Sequence, residues 1–439
     1  MIKVVKFGGS SLANAEQFQK VVDIIQSDPD RRFVIPSAPG KRFSGDEKVT
    51  DMLYDTYRLY EEGGDFTARL KDIKARYEEI RQAFDAPVDL DSEFAVIEEN
   101  IKAGAGRDYV ASRGEYLNGK LLAAILGFEF VDPAEIIVFS TDGQFNMAAT
   151  DQVLPPRVKQ LKNAVIPGFY GADKTGRVVT FSRGGSDVTG SIIAREVNAD
   201  LYENWTDVSG FLVTDPHVVE NPERISIITY REMRELSYMG ASVLHEDAIF
   251  PLRSEGIPVN IRNTNCPDDP GTMIVETTCS KPKYTITGIG GKKGFVSVTV
   301  EKDMMNSEIG FGRRLLQVFE EAGLSFEHTP SGIDTFCVYV NQEDFQKVEQ
   351  KVISGIHKAV NPDLVELESD LALIAVVGRG MKDNFGTAGR IFAALSHARV
   401  NVKMIDQGSS ELNIIIGVKN KDFETAIKAI YDIFVLTQL

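Results

Sequence analysis

Residues 3–11 read KVVKFGGSS, and the interpretation of the whole chain starts from this stretch. The β-branched pair Val4 and Val5 indicates a strand, which ends in a lysine, an aromatic residue and two adjacent glycines. Glycines between a strand and a helix let backbone N–H groups approach a bound anion closely. The stretch therefore allows two interpretations: a loop that holds phosphate with Lys6 as its cation, or a tight turn beside a solvated lysine.

Length and composition limit the classes of function. A chain of 439 residues exceeds one hydrophobic core, so two or three domains are expected. The formal net charge of −16 argues against nucleic acid or an anionic membrane as a partner. The three cysteines form no CxxC pair and the histidines show no zinc-ligand spacing, so a reducing cytoplasm is the expected location. No apolar run reaches the roughly 18 residues that a membrane helix needs, and no signal peptide is expected.

Strand-like and helix-like segments alternate over residues 1–280. Apolar runs predict strands at 2–5, 33–35, 135–140, 164–166, 178–181 and 201–202. Phe18, Val21, Val22 and Ile25 lie on one face of a predicted helix, which Asn14 caps. This alternation favours a mainly parallel sheet with helices on both faces, in which ligands bind beyond the carboxyl ends of the strands. Glycine- or serine-rich loops follow predicted strands at 8–11, 37–40 and 182–186.

The chain repeats itself after a polar linker near residues 277–283. Met305 aligns with Met381, Gly310 with Gly386 and Gly332 with Gly408, a constant offset of 76 residues, and the apolar positions between them match as well. Each copy reads strand, helix, strand, strand, helix. The repeat predicts two small ferredoxin-like βαββαβ domains, at 281–370 and 371–439.

Three further stretches carry polar residues of chemical interest. FSRGGSD (181–187) is a second glycine-pair loop, in which the Arg183 guanidinium suits a carboxylate and Ser186 and Asp187 follow. RGEYLNGKLLAAIL (113–126) predicts a helix with Glu115 in its first turn, where the helix dipole favours an acid and where a substrate ammonium is an alternative partner. NWTDVSGFLVTDP (204–216) places Thr206 and Asp207 after a strand, as nucleotide or metal contacts or as an ordinary turn.

Together and in this order, these stretches resemble the motifs of the aspartate kinase family. The matching segments are KFGGSS (6–11), PSAPG (36–40), GE (114–115), GFYG (168–171), SRGGSD (182–187), WTDVSGFLVTDP (205–216), GASVLHE (240–246) and MIDQGSSELNI (404–414). The resemblance implies an α/β chain: an amino acid kinase domain of three αβα layers over 1–280, followed by two ACT regulatory domains. It also implies transfer of the ATP γ-phosphoryl group to the β-carboxylate of L-aspartate, the first step toward lysine, threonine and methionine.

The resemblance also implies roles for individual residues. Lys6 stabilises the transferred phosphoryl group, Asp187 orients Lys6, Arg183 binds the substrate α-carboxylate and Glu115 binds its ammonium. The remaining substrate positions are Ser37, Thr50 and Ser186, with Thr50 following a lengthened segment at 41–48. The nucleotide positions are Gly8, Gly9, Ser10, Thr206, Asp207, Leu212, His217 and Ser242. A carboxylate of pKa about 3.9 is already ionised at neutral pH, so the reaction needs cations and Mg²⁺ rather than a general base.

Three of those nucleotide positions depart from the family pattern. Ser242 replaces a lysine, while Leu212 and His217 stand where a tyrosine and an arginine are common. We therefore expect Mg²⁺ and Lys6 to carry more of the phosphate charge in this chain. Two alternatives remain at this level: a catalytically weak amino-acid sensor, or a kinase of another small carboxylate such as glutamate.

The ACT pair implies feedback by lysine and/or threonine, bound between subunits of a homodimer or homotetramer. Met305, Ser307, Ser331 and Gln407 are the candidate effector residues, and turn and packing roles are the alternative for each. The sequence alone does not identify the effector.

Overall fold

The computed structural model describes residues 1–182, 184–241, 244, 246–278, 280, 282–382 and 384–437, with the backbone only at 246 and 247. The chain divides into two compact units. The first comprises Met1–Phe211, Ser226–Tyr230 and Val243–Thr278, and the second comprises Leu212–Ile225, Arg231–Ser242 and Cys279–Leu439. None of the helices in the described ranges is long and apolar enough to cross a membrane.

Strands and helices alternate through the first 278 residues. The strands are β1 Lys3–Phe7, β2 Arg31–Pro36, β3 Glu129–Phe130, β4 Val138–Phe139, β5 Ala164–Val165, β6 Tyr170–Asp173, β7 Val178–Thr180, β8 Leu201–Thr206, β9 Ile227–Thr229, β10 Val259–Asn263 and β11 Thr272–Val275. The helices are α1 Ala15–Gln26, α2 Val49–Glu61, α3 Thr67–Ala83, α4 Leu90–Lys102, α5 Arg107–Leu126, α6 Met147–Val158, α7 Gly185–Glu196, α8 Tyr230–Tyr238 and α9 Phe250–Ser254.

The main sheet has the strand order β3-β5-β2-β1-β8-β10-β11-β9. All of its pairings are parallel except β10 with β11. Phe7 at the end of β1 lies opposite Pro36 on β2 and Trp205 on β8, so the loops that follow these three strands meet at one edge. The predicted, mainly parallel sheet is confirmed.

Helices cover both faces of this sheet. Val5, Phe7 and Trp205 point into a core formed with α1 to α5. On the opposite face, a Cβ at Gly190 of α7 would lie 2.6 Å from the Tyr202 hydroxyl of β8. Because side chains alternate along a strand, Lys6 on β1 shares this second face with α7. The three αβα layers expected from the sequence are therefore present.

Two predicted strands lie outside the main sheet. The runs at 135–140 and 178–181 contribute to a separate three-stranded sheet of order β4-β6-β7. The first strand is shorter than predicted, because residues 133–135 form a 3₁₀ turn that the Asp132 side chain caps.

The position of Glu115 within its helix was predicted wrongly. Helix α5 begins at Arg107, with Gly106 at its N-cap in a left-handed conformation (φ 86°), so Glu115 lies in the middle of the helix. Buried Val110 and Ala111 extend the apolar face toward the N-terminus. The helix dipole therefore does not explain the acid at this position.

The second unit contains one six-stranded antiparallel sheet of order β13-β14-β12-β15-β17-β16. Its strands are β12 Gly288–Glu301, β13 Phe326–His328, β14 Thr335–Asn341, β15 Leu364–Val377, β16 Met404–Asp406 and β17 Asn413–Lys419. Its helices are α10 Phe311–Ala322, α11 Gln342–Val360, α12 Thr387–His397 and α13 Phe423–Tyr431. The repeated glycines Gly310 and Gly386 occupy equivalent N-caps of α10 and α12, with φ of 80° and 83°.

The two repeated lobes share their long strands. Residues 295–301 of β12 pair with β14 and with the start of β15, whereas residues 288–293 pair with residues 372–377. The second lobe therefore takes its fourth strand from residues 288–293, which precede the strands of the first lobe. The domain boundaries at 280/281 and 370/371 stay predictions. The strand pairing assigns residues 288–293 to the second lobe.

Candidate active site

A buried ion pair lies at the carboxyl end of β1. Lys6 Nζ lies 2.8 Å from Oδ1 of Asp187, which belongs to the first turn of α7. The lysine is 8% exposed, so its charge is largely withdrawn from water. The two glycine-pair loops found in the sequence are thus brought together by their charged residues.

Asn204 completes this pair, and the sequence analysis did not single it out. Its Nδ2 donates to Asp187 Oδ1 at 2.9 Å, and its Oδ1 accepts from Lys6 Nζ at 3.5 Å. Asn204 lies on β8 in register with Lys6 and is 3% exposed. The available signal was a polar residue inside a buried strand, one residue before the tryptophan.

The glycine loops pack backbone against backbone. Gly40 N–H donates to the Gly9 carbonyl at 2.8 Å, and Gly8 N–H donates to the Trp205 carbonyl at 3.0 Å. A Cβ at Gly9 would lie 2.8 Å from the Ala38 carbonyl oxygen, and one at Gly40 would lie 2.6 Å from Gly9 C. Only glycine fits this approach, which keeps the 8–11 loop beside the 37–40 loop. Ser10 is exposed at its tip.

Glu115 lies on the side of α5 that faces the 37–40 loop. A Cβ at Gly114 would lie 2.8 Å from Ala38 Cβ, so the helix touches the loop. Glu115 is 5% exposed, and Oε2 has no hydrogen-bond partner among the described residues. Burial raises the pKa of Glu115 to about 8, although the backbone N–H of Ala38 and the Arg113 charge oppose this. Among the described residues, this acid forms no ion pair.

Glu115 and the 37–40 loop form a corner at which two of the predicted substrate positions, Ser37 and Thr50, lie. Ser37 is half-buried, and its N–H donates to the Phe7 carbonyl at 3.1 Å. Thr50 is half-buried in the first turn of α2, where Val49 N–H donates to the Pro39 carbonyl at 3.1 Å. Ser186 is 9% exposed, and its Cβ would lie 2.5 Å from a Cβ at Gly168. The GFYG and GGSD segments are therefore in contact.

The remaining predicted positions belong to different units or lie outside the described residues. Arg183 and Ser242 lie outside the described residues. Thr206 and Asp207 follow β8 in the first unit, where the Thr206 hydroxyl donates to Asp207 Oδ1 at 3.1 Å. Leu212 and His217 belong to the second unit, where Leu212 bridges to Arg224 and the exposed His217 ring contacts Asp215 Oδ1 at 2.8 Å.

The candidate effector positions lie in turns of the repeated lobes. Met305 is buried in a 3₁₀ turn, and Ser307 is exposed at the end of the same turn. Ser331 is exposed and forms an isolated bridge to Phe336. Gln407 is exposed directly after β16. Packing therefore accounts for Met305, while the three polar side chains are accessible.

The described residues offer no cluster of three His, Cys, Asp or Glu side chains for a metal ion. Mg²⁺ typically keeps several waters and binds one or two carboxylates together with substrate phosphates. Asp187 beside the glycine loop suits that mode of binding, whereas a cage made of protein ligands does not fit this part of the chain.

Comparisons with known proteins show the family to which the chain belongs. The model of the amino acid kinase family matches residues 1–263, and the model of an ACT domain matches residues 374–434. Over 452 residues the chain is 42% identical to Aspartokinase 3 of Bacillus subtilis (strain 168), covering 99% of this chain and 98% of that protein.

The chain is also similar to solved structures of aspartate kinases. The crystal structure of Clostridium acetobutylicum aspartate kinase matches with a TM-score of 0.94 at 52% identity, covering 99% of this chain and 100% of that one. E. coli aspartokinase III in complex with aspartate and ADP matches with a TM-score of 0.74 at 24% identity, covering 98% and 99%. At that lower identity the second match supports the fold alone.

Proposed function

Because this chain belongs to the aspartate kinases of the amino acid kinase family, we propose that Lys6 and Asp187 form its phosphoryl-transfer centre and that Glu115 recognises the substrate ammonium. The observation that carries the proposal is the buried contact of 2.8 Å between Lys6 and Asp187 beside two interlocked glycine loops. Such a centre provides a fixed cation where phosphoryl oxygens gain charge.

Lys6 reduces the electrostatic repulsion between the two reacting groups, which is the main energetic cost of the reaction. The β-carboxylate of aspartate is ionised at neutral pH and must approach an anionic γ-phosphoryl group. A lysine held in a site of low dielectric lowers this repulsion more than a solvated lysine does. The glycine loop adds backbone N–H groups at the start of its 3₁₀ turn, because the first N–H groups of a helix lack intrahelical partners.

Asp187 and Asn204 hold Lys6 in place. Asp187 Oδ1 receives both the lysine contact and the Asn204 amide, so the carboxylate is fixed from two sides. A fixed cation needs little reorganisation when charge develops. Neither side chain removes a proton, because the nucleophile carries none at neutral pH.

Glu115 supplies the charge partner of the substrate ammonium. The pKa of the buried carboxyl is about 8 in the free site, so it is largely protonated at neutral pH. An ammonium brought next to it favours the ionised form and lowers that pKa. Aspartate binding near pH 7 therefore releases a proton from Glu115.

The other substrate and nucleotide contacts remain proposals from the sequence. Arg183 binds the α-carboxylate, and Ser37, Thr50 and Ser186 line the substrate corner. Thr206, Asp207, Leu212, His217 and Ser242 contact ATP. Asp187 would help to hold Mg²⁺ together with the ATP phosphates, and the ion would neutralise phosphate charge.

Trapping the acyl phosphate as a hydroxamate tests the assignment of the substrate. We expect hydroxamate from aspartate with Mg·ATP and little from glutamate, because one extra methylene displaces the reacting carboxylate from Lys6. Equal rates with both amino acids would contradict the substrate corner built around Glu115. Repeating the assay with lysine and with threonine identifies the effector.

We also propose that the repeated lobes bind lysine and/or threonine and join subunits into a homodimer or homotetramer in the cytoplasm. Ile309, Ile333 and Phe385 of the second unit are 96%, 70% and 98% exposed in the single chain, which favours a covering partner. Light scattering of Ile309→Asp and Phe385→Asp variants tests this, and a monomeric wild-type chain would contradict it.

A further inference from the structure

Two buried oxygen atoms on one face of α5 have no hydrogen-bond partner among the residues that the structure describes. They are Oε2 of Glu115 and Oδ1 of Asn118, in side chains that are 5% and 0% exposed. Residues three apart on a helix are neighbours on its surface. Leaving one buried acceptor unpaired is costly, and leaving two side by side is a strong sign of a missing donor.

The orientation of the Asn118 amide is fixed by chemistry. Its Nδ2 donates to the Ser37 carbonyl at 2.6 Å, and only the NH₂ end of an amide can donate to a carbonyl oxygen. A flipped amide would place two acceptors against each other. Oδ1 is therefore held as an acceptor, turned away from the Ser37 carbonyl.

Both orphan atoms lie next to the candidate active site. Asn118 binds the Ser37 carbonyl, and the Glu115 carboxyl lies within reach of the next backbone N–H, that of Ala38. The same loop contacts the phosphate-side glycines through the bond from Gly40 N–H to the Gly9 carbonyl at 2.8 Å. A ligand that satisfies the two acceptors therefore lies beside the 37–40 loop.

The chemistry of the pair fits an ammonium group. A protonated primary amine carries three N–H donors and one positive charge, and this corner offers one acid oxygen and one neutral amide oxygen. We propose that Asn118 Oδ1 is a second acceptor for the α-ammonium of the substrate, beside Glu115. This rests on the proposed function, since it takes the amino acid substrate to bind at this corner. Asn118 is then a residue that determines specificity for an amino group.

The test compares aspartate with succinate, which keeps both carboxylates and lacks the ammonium. Isothermal titration calorimetry in the presence of Mg·ADP gives a dissociation constant for each ligand without requiring turnover. For Asn118→Leu we expect aspartate affinity to fall about 10- to 100-fold while succinate affinity changes less than about threefold. A loss shared equally by both ligands would show that Asn118 only positions the Ser37 loop. No loss for either would show that water satisfies Oδ1. Both of these results overturn the proposal.

A second variant distinguishes loss of the acceptor from misfolding. Asn118→Asp, when protonated, keeps a donor toward the Ser37 carbonyl and an acceptor in place of Oδ1. It should therefore retain the preference for aspartate over succinate within about threefold. A loss as large as that expected for Asn118→Leu would contradict the proposal. Asn100→Leu is the matched control, since it breaks the bond of 2.7 Å from Asn100 Nδ2 to the Tyr109 hydroxyl. Absence of aspartyl hydroxamate from the wild-type chain would count against the proposed function separately.

Discussion

Glu115 links stability to function at the scale of a single residue. Its pKa is about 8 in the folded chain and 4.5 in a solvated glutamate, so the folded state holds a proton that the unfolded state releases between these values. Stability from this group is complete below pH 4.5 and falls as the pH rises through 8. At pH 7 the loss is about 3 kcal/mol, from 1.36 kcal/mol per pKa unit.

Replacing Glu115 with glutamine should remove this dependence. We expect Glu115→Gln to gain stability over the wild type progressively from pH 5.5 to 8.5 in urea denaturation, while its KM for aspartate rises at least about tenfold. A stability difference that does not change with pH would refute the buried, protonated state of Glu115.

Asn204 gives a second prediction at the residue scale. Asn204→Leu removes the amide that fixes Asp187 Oδ1, so kcat should fall about tenfold while the KM for aspartate stays within twofold. Asn260→Leu is a control on the neighbouring strand β10, where the asparagine is also buried. Steady-state kinetics check both variants, and equal loss of kcat in both would reduce Asn204 to a packing residue.

At the scale of elements, the interlocked glycine loops make a steric prediction. A Cβ at Gly40 would meet Gly9 backbone atoms at 2.6 and 2.7 Å, whereas a Cβ at Gly45 would meet only Phe43 ring atoms at 3.8 and 3.9 Å. Gly40→Ala should cost about 2 kcal/mol and lower the melting temperature by about 4 to 8 °C. Gly45→Ala should have little effect in calorimetry, and similar shifts would argue against the close contact.

Hydrophobic periodicity predicted a helix or strand where the buried face can be recognised from the residues of that element alone. The capped helix over 15–26 is confirmed, with Asn14 Oδ1 accepting from Gln17 N–H, because amphipathic spacing and a cap are local signals. The start of α5 was missed, since its buried face there depends on partners distant in sequence. For the same reason, no local pattern indicates that residues 288–293 complete the second lobe.

The candidate site follows the same rule. Lys6 and Asp187 were found because glycine pairs mark them, and the structure brings them into contact. Asn204 and Asn118 were missed because an asparagine in a strand or helix carries no local signal. Their importance comes only from what lies opposite them.

At the scale of the whole molecule, the second unit, which contains the repeated lobes, also includes segments that lie earlier in the chain. Helix α8 lies within the matched kinase segment, yet its Glu232 is 0% exposed among residues of the second unit. Glu232 accepts from Thr287 Oγ1 at 2.6 Å and from Arg379 N–H at 2.7 Å, and the Arg379 guanidinium lies 3.0 Å away. These contacts bind α8 to the second repeated lobe, because Thr287 directly precedes the part of β12 that pairs with residues 372–377.

Removing this carboxylate should weaken the second unit. Glu232→Leu removes the buried carboxylate that lies 3.0 Å from the Arg379 guanidinium, at a cost of about 3 kcal/mol. Glu424→Leu, which breaks an exposed pair with Lys293, should cost less than about 1 kcal/mol. Hydrogen exchange of the β12 and β15 amides compares the two, and equal protection would show that the Glu232 cluster does not stabilise the unit.

The most direct test of the proposed phosphoryl-transfer centre is the rate of aspartyl hydroxamate formation by Lys6→Ala at saturating Mg·ATP, with Lys20→Ala as a control on a half-buried lysine of α1. We expect a loss of at least about a thousandfold for Lys6→Ala, with circular dichroism like that of the wild type, and no loss for Lys20→Ala. A folded Lys6→Ala variant that retains the wild-type rate would contradict the assignment of Lys6.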